Sequence, residues 1–164
     1  MSNLDDLSAD IDARLAGVGL TRLTPDEFSD DRAIVWGGLY ACLMVWTAEG
    51  DLVSAAQRGE GVLDTLLNKR EKAWNWPATT VDGYLVLPTT KPPHVDTAII
   101  RTIESSTLIC RKFVIWHDGV RWVGLERIPI LPLPPAEPSA ATVEYNEAER
   151  QLLDTLRPPE RAGS

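Results

Sequence analysis

The sequence predicts an α+β fold: one domain with a small mixed sheet of four or five strands packed by helices. Three observations predict it. The length of 164 residues suits a single domain. The composition, 44% hydrophobic and 24% charged, is that of a globular chain. Segments with the apolar period of a strand alternate with segments of helical period. The predicted organisation is an acidic helical arm over 1–33, a core domain over 34–133, and a proline-rich linker with a helical tail over 134–164.

The first predicted element is an amphipathic helix near the N-terminus. Its apolar positions, Leu4, Leu7, Ile11 and Leu15, recur at helical spacing. Aspartates precede and accompany the first turn, where the helix dipole favours negative charge. The stretch "TPDEFSDD" that follows is typical of a helix start or a turn.

The core begins with a strand over residues 39–47, which is aromatic and aliphatic enough to be central. "AEGD" can then turn the chain into a second strand, Leu52 to Ala56. A helix that starts at Asp51 is the alternative. Gly59 and Gly61 count against that helix, because each glycine in a helix interior costs about 1 kcal/mol.

Two helices and three strands complete the predicted core. Helix 62–74 has one apolar face, and strand 83–87 follows it. Helix 94–110 leads into a hairpin of strands 112–117 and 120–125. The apolar stripe of that second helix consists of Val95, Ile99, Ile100, Ile103, Leu108 and Cys110.

The hairpin turn is predicted at Asp118-Gly119, since a two-residue type I′ turn favours this pair. The register then pairs residues whose numbers sum to 237: Trp116 with Arg121, Ile115 with Trp122, Phe113 with Gly124, and Arg111 with Glu126. A three-residue loop would instead pair Arg111 with Leu125. Both faces of the hairpin are apolar in the middle, so helices or a partner are expected to cover both.

"IPILPLPPAEP" marks the end of the core, because its five prolines favour polyproline II and exclude a central strand or helix. One more helix is predicted beyond it, over about 143–156. Tyr145, Leu152 and Leu156 lie along one line of that helix and are candidate contacts to a partner.

Charge and cysteine usage restrict the classes of function. Of the net charge of −8, residues 1–33 contribute −5, residues 134–164 contribute −3, and the core is neutral. Direct nucleic-acid binding is therefore not expected, since affinity for phosphate comes from Lys and Arg. An acidic inhibitor that mimics DNA is one alternative function. Two cysteines in apolar settings, with no signal peptide, indicate reduced thiols in the cytoplasm. The longest uncharged run is shorter than the ~20 residues of a membrane helix.

No motif predicts a cofactor or a metal, because His94 and His117 lack a second ligand at metal spacing. A divergent restriction-nuclease-like enzyme is the alternative from the enzyme class. It would use Asp82 as its first acid or His117 as a base. The next strand offers no Glu-x-Lys, and "GLERI" supplies only Glu126.

Five side chains of the core are candidates for binding a protein partner. Trp74 and Trp76 flank Asn75, and tryptophan is enriched at binding hot spots. Arg111, Lys112 and Arg121 could form a basic patch at the hairpin. Lys112 is left without a charged partner by the predicted register, which makes it the first place to expect a partner contact.

"DGYLVLP", "IIRTIESSTLICRKFVIW" and "ERIPILPLP" occur in an order that resembles the small middle components of bacterial ABC-three-component and Lamassu-like anti-phage defence systems. The resemblance covers about residues 80–135. It implies a non-catalytic accessory subunit that bridges an SMC- or ABC-type ATPase and an effector, both of them protein partners from the same system. It implies no catalytic residues.

Overall fold

A computed structural model of the protein describes residues 2–47, 50–74, 81–90 and 97–132. For residues 2, 3, 73 and 74 it describes the backbone alone. The helices of the described part are α1 (Ser2–Leu15), α2 (Leu52–Trp74) and α3 (Thr97–Ser105). Its strands are β1 (Thr21–Arg22), β2 (Ala33–Gly37), β3 (Ala41–Trp46), β4 (Asp82–Thr89), β5 (Arg111–His117) and β6 (Trp122–Val123), followed by a 3₁₀ turn at Leu125–Arg127.

The described strands form one mixed sheet in sequential order from β1 to β6. β3, β4 and β5 are parallel neighbours, and the remaining pairs are antiparallel. Parallel neighbours need a crossover connection, which α2 and α3 supply. The predicted α+β class with a mixed sheet is confirmed. The described residues form six strands, because β1 and β2 precede the first predicted strand and were not expected. The predicted strand 120–125 is present as β6, shortened to Trp122–Val123.

Helices and loops cover both faces of the sheet. One face packs against α2 and α3 in a core that includes Met44, Trp46 and Leu85. The other face packs against α1 and the segment 125–131. Every residue of β3 is buried, which is expected of a strand covered on both sides. The central strand predicted over 39–47 is therefore present, shortened to Ala41–Trp46.

α1 packs on the sheet and is not a separate arm. Leu7, Ile11 and Leu15, three of the predicted stripe, are at most 3% exposed. The indole Nε1 of Trp36 in β2 donates to Asp12 Oδ1 at 2.5 Å, which ties the helix to the sheet. The described residues up to 132 belong to one compact unit, so no boundary falls at residue 33.

The predicted strand Leu52 to Ala56 is wrong, because α2 already begins at Leu52. Asp51 caps it: the Ser54 N–H donates to Asp51 Oδ1 at 2.9 Å, and the Ser54 hydroxyl donates to Oδ2 at 2.6 Å. Gly59 does not interrupt the helix. A Cβ there would lie 3.0 Å from Trp46 Cγ, so glycine lets α2 approach the sheet closely.

α3 is shorter than the predicted helix 94–110. It ends at Ser105, where the side-chain hydroxyl donates to the Thr102 carbonyl at 3.0 Å, a contact that competes with helix propagation. Ile100 and Ile103 are buried as the stripe predicts. Leu108 is 96% exposed, because the chain has left the helix before it. Residues 94–96 lie outside the described part.

Neither predicted register of the hairpin is correct. β5 and β6 pair residues whose numbers sum to 239, Trp116 with Val123 and His117 with Trp122. The loop therefore has four residues, closed by a bond from the Asp118 N–H to the Arg121 carbonyl at 3.1 Å. The Asp118 carboxylate accepts from the Val120 and Arg121 amides, both at 2.9 Å. These bonds stabilise the wider loop, and they lower the pKa of Asp118.

The outer edge of β5 is closed by side chains where β6 stops. The Val114 N–H donates to Glu104 Oε1 at 2.9 Å, and Arg127 Nη2 donates to the Val114 carbonyl at 2.6 Å. Glu104 and Arg127 are also ion-paired at 3.0 Å. Together they occupy backbone groups through which an open edge strand could pair with another chain.

No helix in the described ranges is long and apolar enough to span a membrane. The proline-rich linker and the helix predicted over 143–156 lie outside the described residues.

Candidate interaction groove

The predicted basic patch of Arg111, Lys112 and Arg121 is not one surface. Arg111 begins β5, and its guanidinium lies 5.9 Å from the Tyr84 ring centroid. Arg121 lies beyond the other end of a strand about 20 Å long. Its side chain is 80% exposed and 4.0 Å from Asp118. The predicted contacts of Arg111 with Glu126 and of Arg121 with Trp116 depended on the wrong register.

Lys112 is buried and pairs within the chain, so the expected partner contact at its side chain is wrong. It is 4% exposed. Its Nζ lies 2.5 Å from Glu60 Oε1 in α2 and donates to the Ser106 carbonyl just after α3 at 2.6 Å. The ammonium therefore joins β5 to both helices that cover this face. A cation also complements the negative end of the α3 dipole.

The other predicted contacts cannot be assigned to a surface. The backbone of Trp74 ends α2, and its side chain is outside the description. Trp76, Tyr145, Leu152 and Leu156 lie outside the described residues.

Two of the three side chains considered for catalysis accept hydrogen bonds from nearby backbone amides, and the third is exposed at the start of a strand. Glu126 Oε2 accepts from the Gly124 N–H at 3.0 Å. His117 Nδ1 accepts from the Gly119 N–H at 3.1 Å, and the His117 ring packs edge-on against Trp122. Asp82 is exposed at the start of β4. Among the described residues, no group of three or more His, Cys, Asp or Glu side chains could hold a metal ion.

Both cysteines are free and buried. Burial raises the pKa of the Cys110 thiol to about 11 and also raises that of Cys42. A thiol that is buried and protonated is a poor nucleophile.

We expect neither cysteine to react with a thiol reagent in the native protein at pH 8, and both to react in denaturant. Ellman's reagent measures this directly. A raised pKa also means that the stability contributed by the protonated Cys110 is present below pH 9.0 and is lost as the pH rises toward about 11. Rapid labelling of the native protein would contradict the burial of both thiols.

A groove of about 550 Å³ lies between α2 and the turn segment that precedes β2. We call it the α2 groove. Twelve residues line it: Glu27, Phe28, Ser29, Arg32, Trp46, Gln57, Arg58, Gly61, Val62, Thr65, Leu66 and Lys69. Its volume is in the range of sites that take a small molecule or a few side chains of a partner.

Local structure fixes the turn side of the α2 groove. Glu27 Oε2 accepts from the Thr24 N–H at 2.9 Å, which closes a turn and lowers the pKa of Glu27. Asp30 Oδ2 and Arg32 Nη2 lie 2.9 Å apart. The Arg32 guanidinium carbon lies 4.9 Å from the Trp46 ring centroid. Trp46 is 1% exposed, and its Nε1 has no hydrogen-bond partner among the residues that the structure describes.

A smaller crevice of about 280 Å³ lies at the carboxyl ends of β3 and β4, beside the start of α2. Ligands of open α/β sheets often bind at this edge. Its lining is mainly apolar, and its carboxylate, Asp51, already caps α2 through Ser54. Hydrogen bonds from Ser54 lower the pKa of Asp51. The lining of the α2 groove has more charged side chains than the lining of the crevice, so the groove is the better candidate for a binding site.

Comparison of the chain with protein-family models, curated proteins and solved structures finds no match. The functional proposal therefore depends on the sequence and on the geometry of the described residues.

Sequence reasoning did not find the α2 groove, because its lining comes from three separated segments. The segment around Phe28 was interpreted as a helix start or a turn, and Gln57 and Arg58 fell between the incorrect strand and helix 62–74. Gly61 gave no signal, because it was counted against a helix starting at Asp51 and lies just before the predicted helix 62–74.

Proposed function

We propose that this protein is a non-catalytic accessory subunit of a bacterial anti-phage defence assembly, where it bridges an SMC- or ABC-type ATPase and an effector. The order of elements over residues 80–135 is the sequence support for the assembly. The α2 groove is the structural feature that favours a binding role. It combines an apolar floor with a charged rim, which is the usual composition of a site that recognises another chain.

Partner recovery tests the proposal. The full chain is tagged, expressed at its native level together with its neighbouring genes, and purified under gentle conditions. We expect a stoichiometric complex that contains an ATPase with a coiled-coil or ABC-type sequence and a separate effector. The untagged strain is the control for nonspecific recovery. Recovery of no stoichiometric ATPase contradicts the proposal.

A phage challenge distinguishes a binding role from an enzymatic one. Deletion of the gene is expected to abolish protection. The variants Asp82→Ala and His117→Ala are expected to preserve both the complex and protection. Loss of protection in either variant, with the complex and the thermal stability unchanged, would favour the nuclease-like alternative.

A further inference from the structure

We propose that the end of the sheet where the parallel strands begin is a contact surface for a second copy of this chain, through exposed apolar side chains and reciprocal ion pairs. We call this surface the amino-end patch. It consists of Leu39, Tyr40, Asp82, Leu108, Ile109 and Arg111. The inference goes beyond the accessory role, because it concerns association between identical chains. Two observations carry it: the apolar side chains that share this end of the sheet, and the two opposite charges that lie among them.

The strand register brings the residues of the amino-end patch together, although three segments supply them. β3, β4 and β5 run parallel, so their first residues lie at the same end of the sheet. The Asp82 N–H donates to the Tyr40 carbonyl at 2.9 Å, which joins the starts of β3 and β4. The segment before β5 lies one strand further, so Tyr40 and Ile109 are two strand spacings, or about 10 Å, apart across the sheet. The patch is therefore one surface.

The apolar side chains of the amino-end patch are in contact with water. Leu108 is 96% exposed and Leu39 is 71% exposed, and Tyr40 and Ile109 are exposed as well. Single exposed apolar residues are common on protein surfaces, whereas several of them together are typical of a contact surface. A partner that covers these side chains removes apolar surface from water, which supplies the affinity.

The patch also contains one carboxylate and one guanidinium. Asp82 begins β4 and Arg111 begins β5, and both are exposed. Both lie near Tyr84: burial raises the pKa of Tyr84, the Asp82 charge raises it further, and the Arg111 charge lowers it. Neither charge has an ion-pair partner among the residues that the structure describes. The Arg111 guanidinium carbon lies 5.9 Å from the Tyr84 ring centroid, and a guanidinium that stacks on a ring can still donate to a carboxylate.

A second copy complements these charges better than an unlike partner of one sign. With one charge of each sign the patch is neutral, although the chain as a whole has a net charge of −8. An acidic partner segment would be repelled by Asp82, and a basic one by Arg111. In a two-fold contact the same surface of both chains meets reciprocally, so Asp82 of each copy can face Arg111 of the other. Both ion pairs are then attractive.

The small size of the patch predicts a weak dimer. A standard interface buries about 800 Å² on each partner, and four apolar side chains supply only part of that area. We therefore expect the full chain to dimerise with a Kd on the order of 10 µM. Sedimentation equilibrium of the purified chain, over concentrations from about one-tenth to ten times this Kd, measures the association. A chain that remains monomeric at the highest concentration overturns the inference.

Replacement of one exposed leucine locates the contact. Leu108→Ser is expected to raise the Kd of the dimer by about tenfold or more. The thermal midpoint of the monomer is expected to stay the same, since this side chain is almost fully exposed. Val120→Ser is the control, because Val120 is 90% exposed in the loop between β5 and β6, at the opposite end of the sheet. Equal Kd values for the two variants would place the contact elsewhere and overturn the assignment.

Charge reversal tests the reciprocal ion pairs. Asp82→Arg alone places cations opposite each other in the dimer, and Arg111→Asp alone places carboxylates opposite each other. Each single variant is therefore expected to dimerise at least about tenfold more weakly than the unaltered chain. An equimolar mixture of the two variants is expected to form a heterodimer with the affinity of the unaltered chain, because every introduced charge then faces an opposite charge. A mixture that stays monomeric, or single variants that dimerise normally, would contradict the inference.

The dimer and the accessory role can fail separately. Sedimentation is measured on the purified chain alone, so recovery of no ATPase from cells contradicts the accessory role and leaves the dimer standing. A chain that is monomeric in sedimentation but recovers a stoichiometric ATPase overturns the dimer and supports the accessory role.

Discussion

Replacing Lys112 by methionine is expected to lower the free energy of unfolding by about 3 kcal/mol, because removal of one partner from a buried ion pair typically costs 3–5 kcal/mol. Lys112 is 4% exposed. The substitution leaves the Glu60 carboxylate and the Ser106 carbonyl without the ammonium that contacts both. The Glu60 side chain is 20% exposed, so water compensates part of the loss, which places the effect at the lower end.

Urea denaturation measures this loss, and a double variant tests its cause. Lys112→Met together with Glu60→Leu is expected to recover most of the stability, since apolar residues of similar volume often replace a buried ion pair without cost. Arg121→Met is the control: its side chain is 80% exposed and its partner is 4.0 Å away, so a change within about 0.5 kcal/mol is expected. A double variant as unstable as Lys112→Met would show that the loss has another origin.

Two glycine-to-alanine substitutions in α2 are expected to change the free energy of unfolding in opposite directions. Alanine gains about 1 kcal/mol over glycine in a helix interior. At Gly61 no atom of the described residues, apart from the local backbone of α2, lies within 4 Å of the new methyl group, so Gly61→Ala is expected to raise stability by about that amount. At Gly59 the methyl carbon would lie 3.0 Å from Trp46 Cγ and 3.1 Å from Leu85 Cδ1. Overpacking of a core costs about 1–3 kcal/mol, so Gly59→Ala is expected to lower stability by about 1 kcal/mol.

The two variants control each other, because the same chemical change is made two residues apart in one helix. Their unfolding free energies in urea are expected to differ by about 2 kcal/mol, the sum of the propensity gain at Gly61 and the net loss at Gly59. Stabilisation by both would mean that α2 does not approach Trp46 as closely as the structure shows. Destabilisation by both would mean that Gly61 has a packing role.

Sequence patterns correctly predicted the elements that bury a single face or every one of their residues. The stripe of α1 and the apolar run of β3 were correctly assigned, because burial there follows a local period. The start of α2 was not, since the cost of Gly59 and Gly61 counted against the helix from Asp51 that was the alternative. At Gly59 that cost is offset by contact with Trp46, a residue on another element.

The charges of the β5–β6 region could not be paired correctly from the sequence. A two-residue turn at Asp118-Gly119 is the common solution for this dipeptide. The Asp118 carboxylate instead binds two amides of a four-residue loop. That loop shifts the pairing by two residues, so Arg111 lies by Tyr84 and Glu126 accepts from Gly124.

The sequence by itself determined the fold class, the central strand, the helical face of α1 and the burial of β5 between two layers. These follow from periodicity, which is a local property of the chain. Only the tertiary structure decided that Lys112 is an internal ion-pair partner and that Gly61 lines the α2 groove. Both depend on contacts between segments far apart in sequence, and those contacts are set by how α2 lies on the sheet.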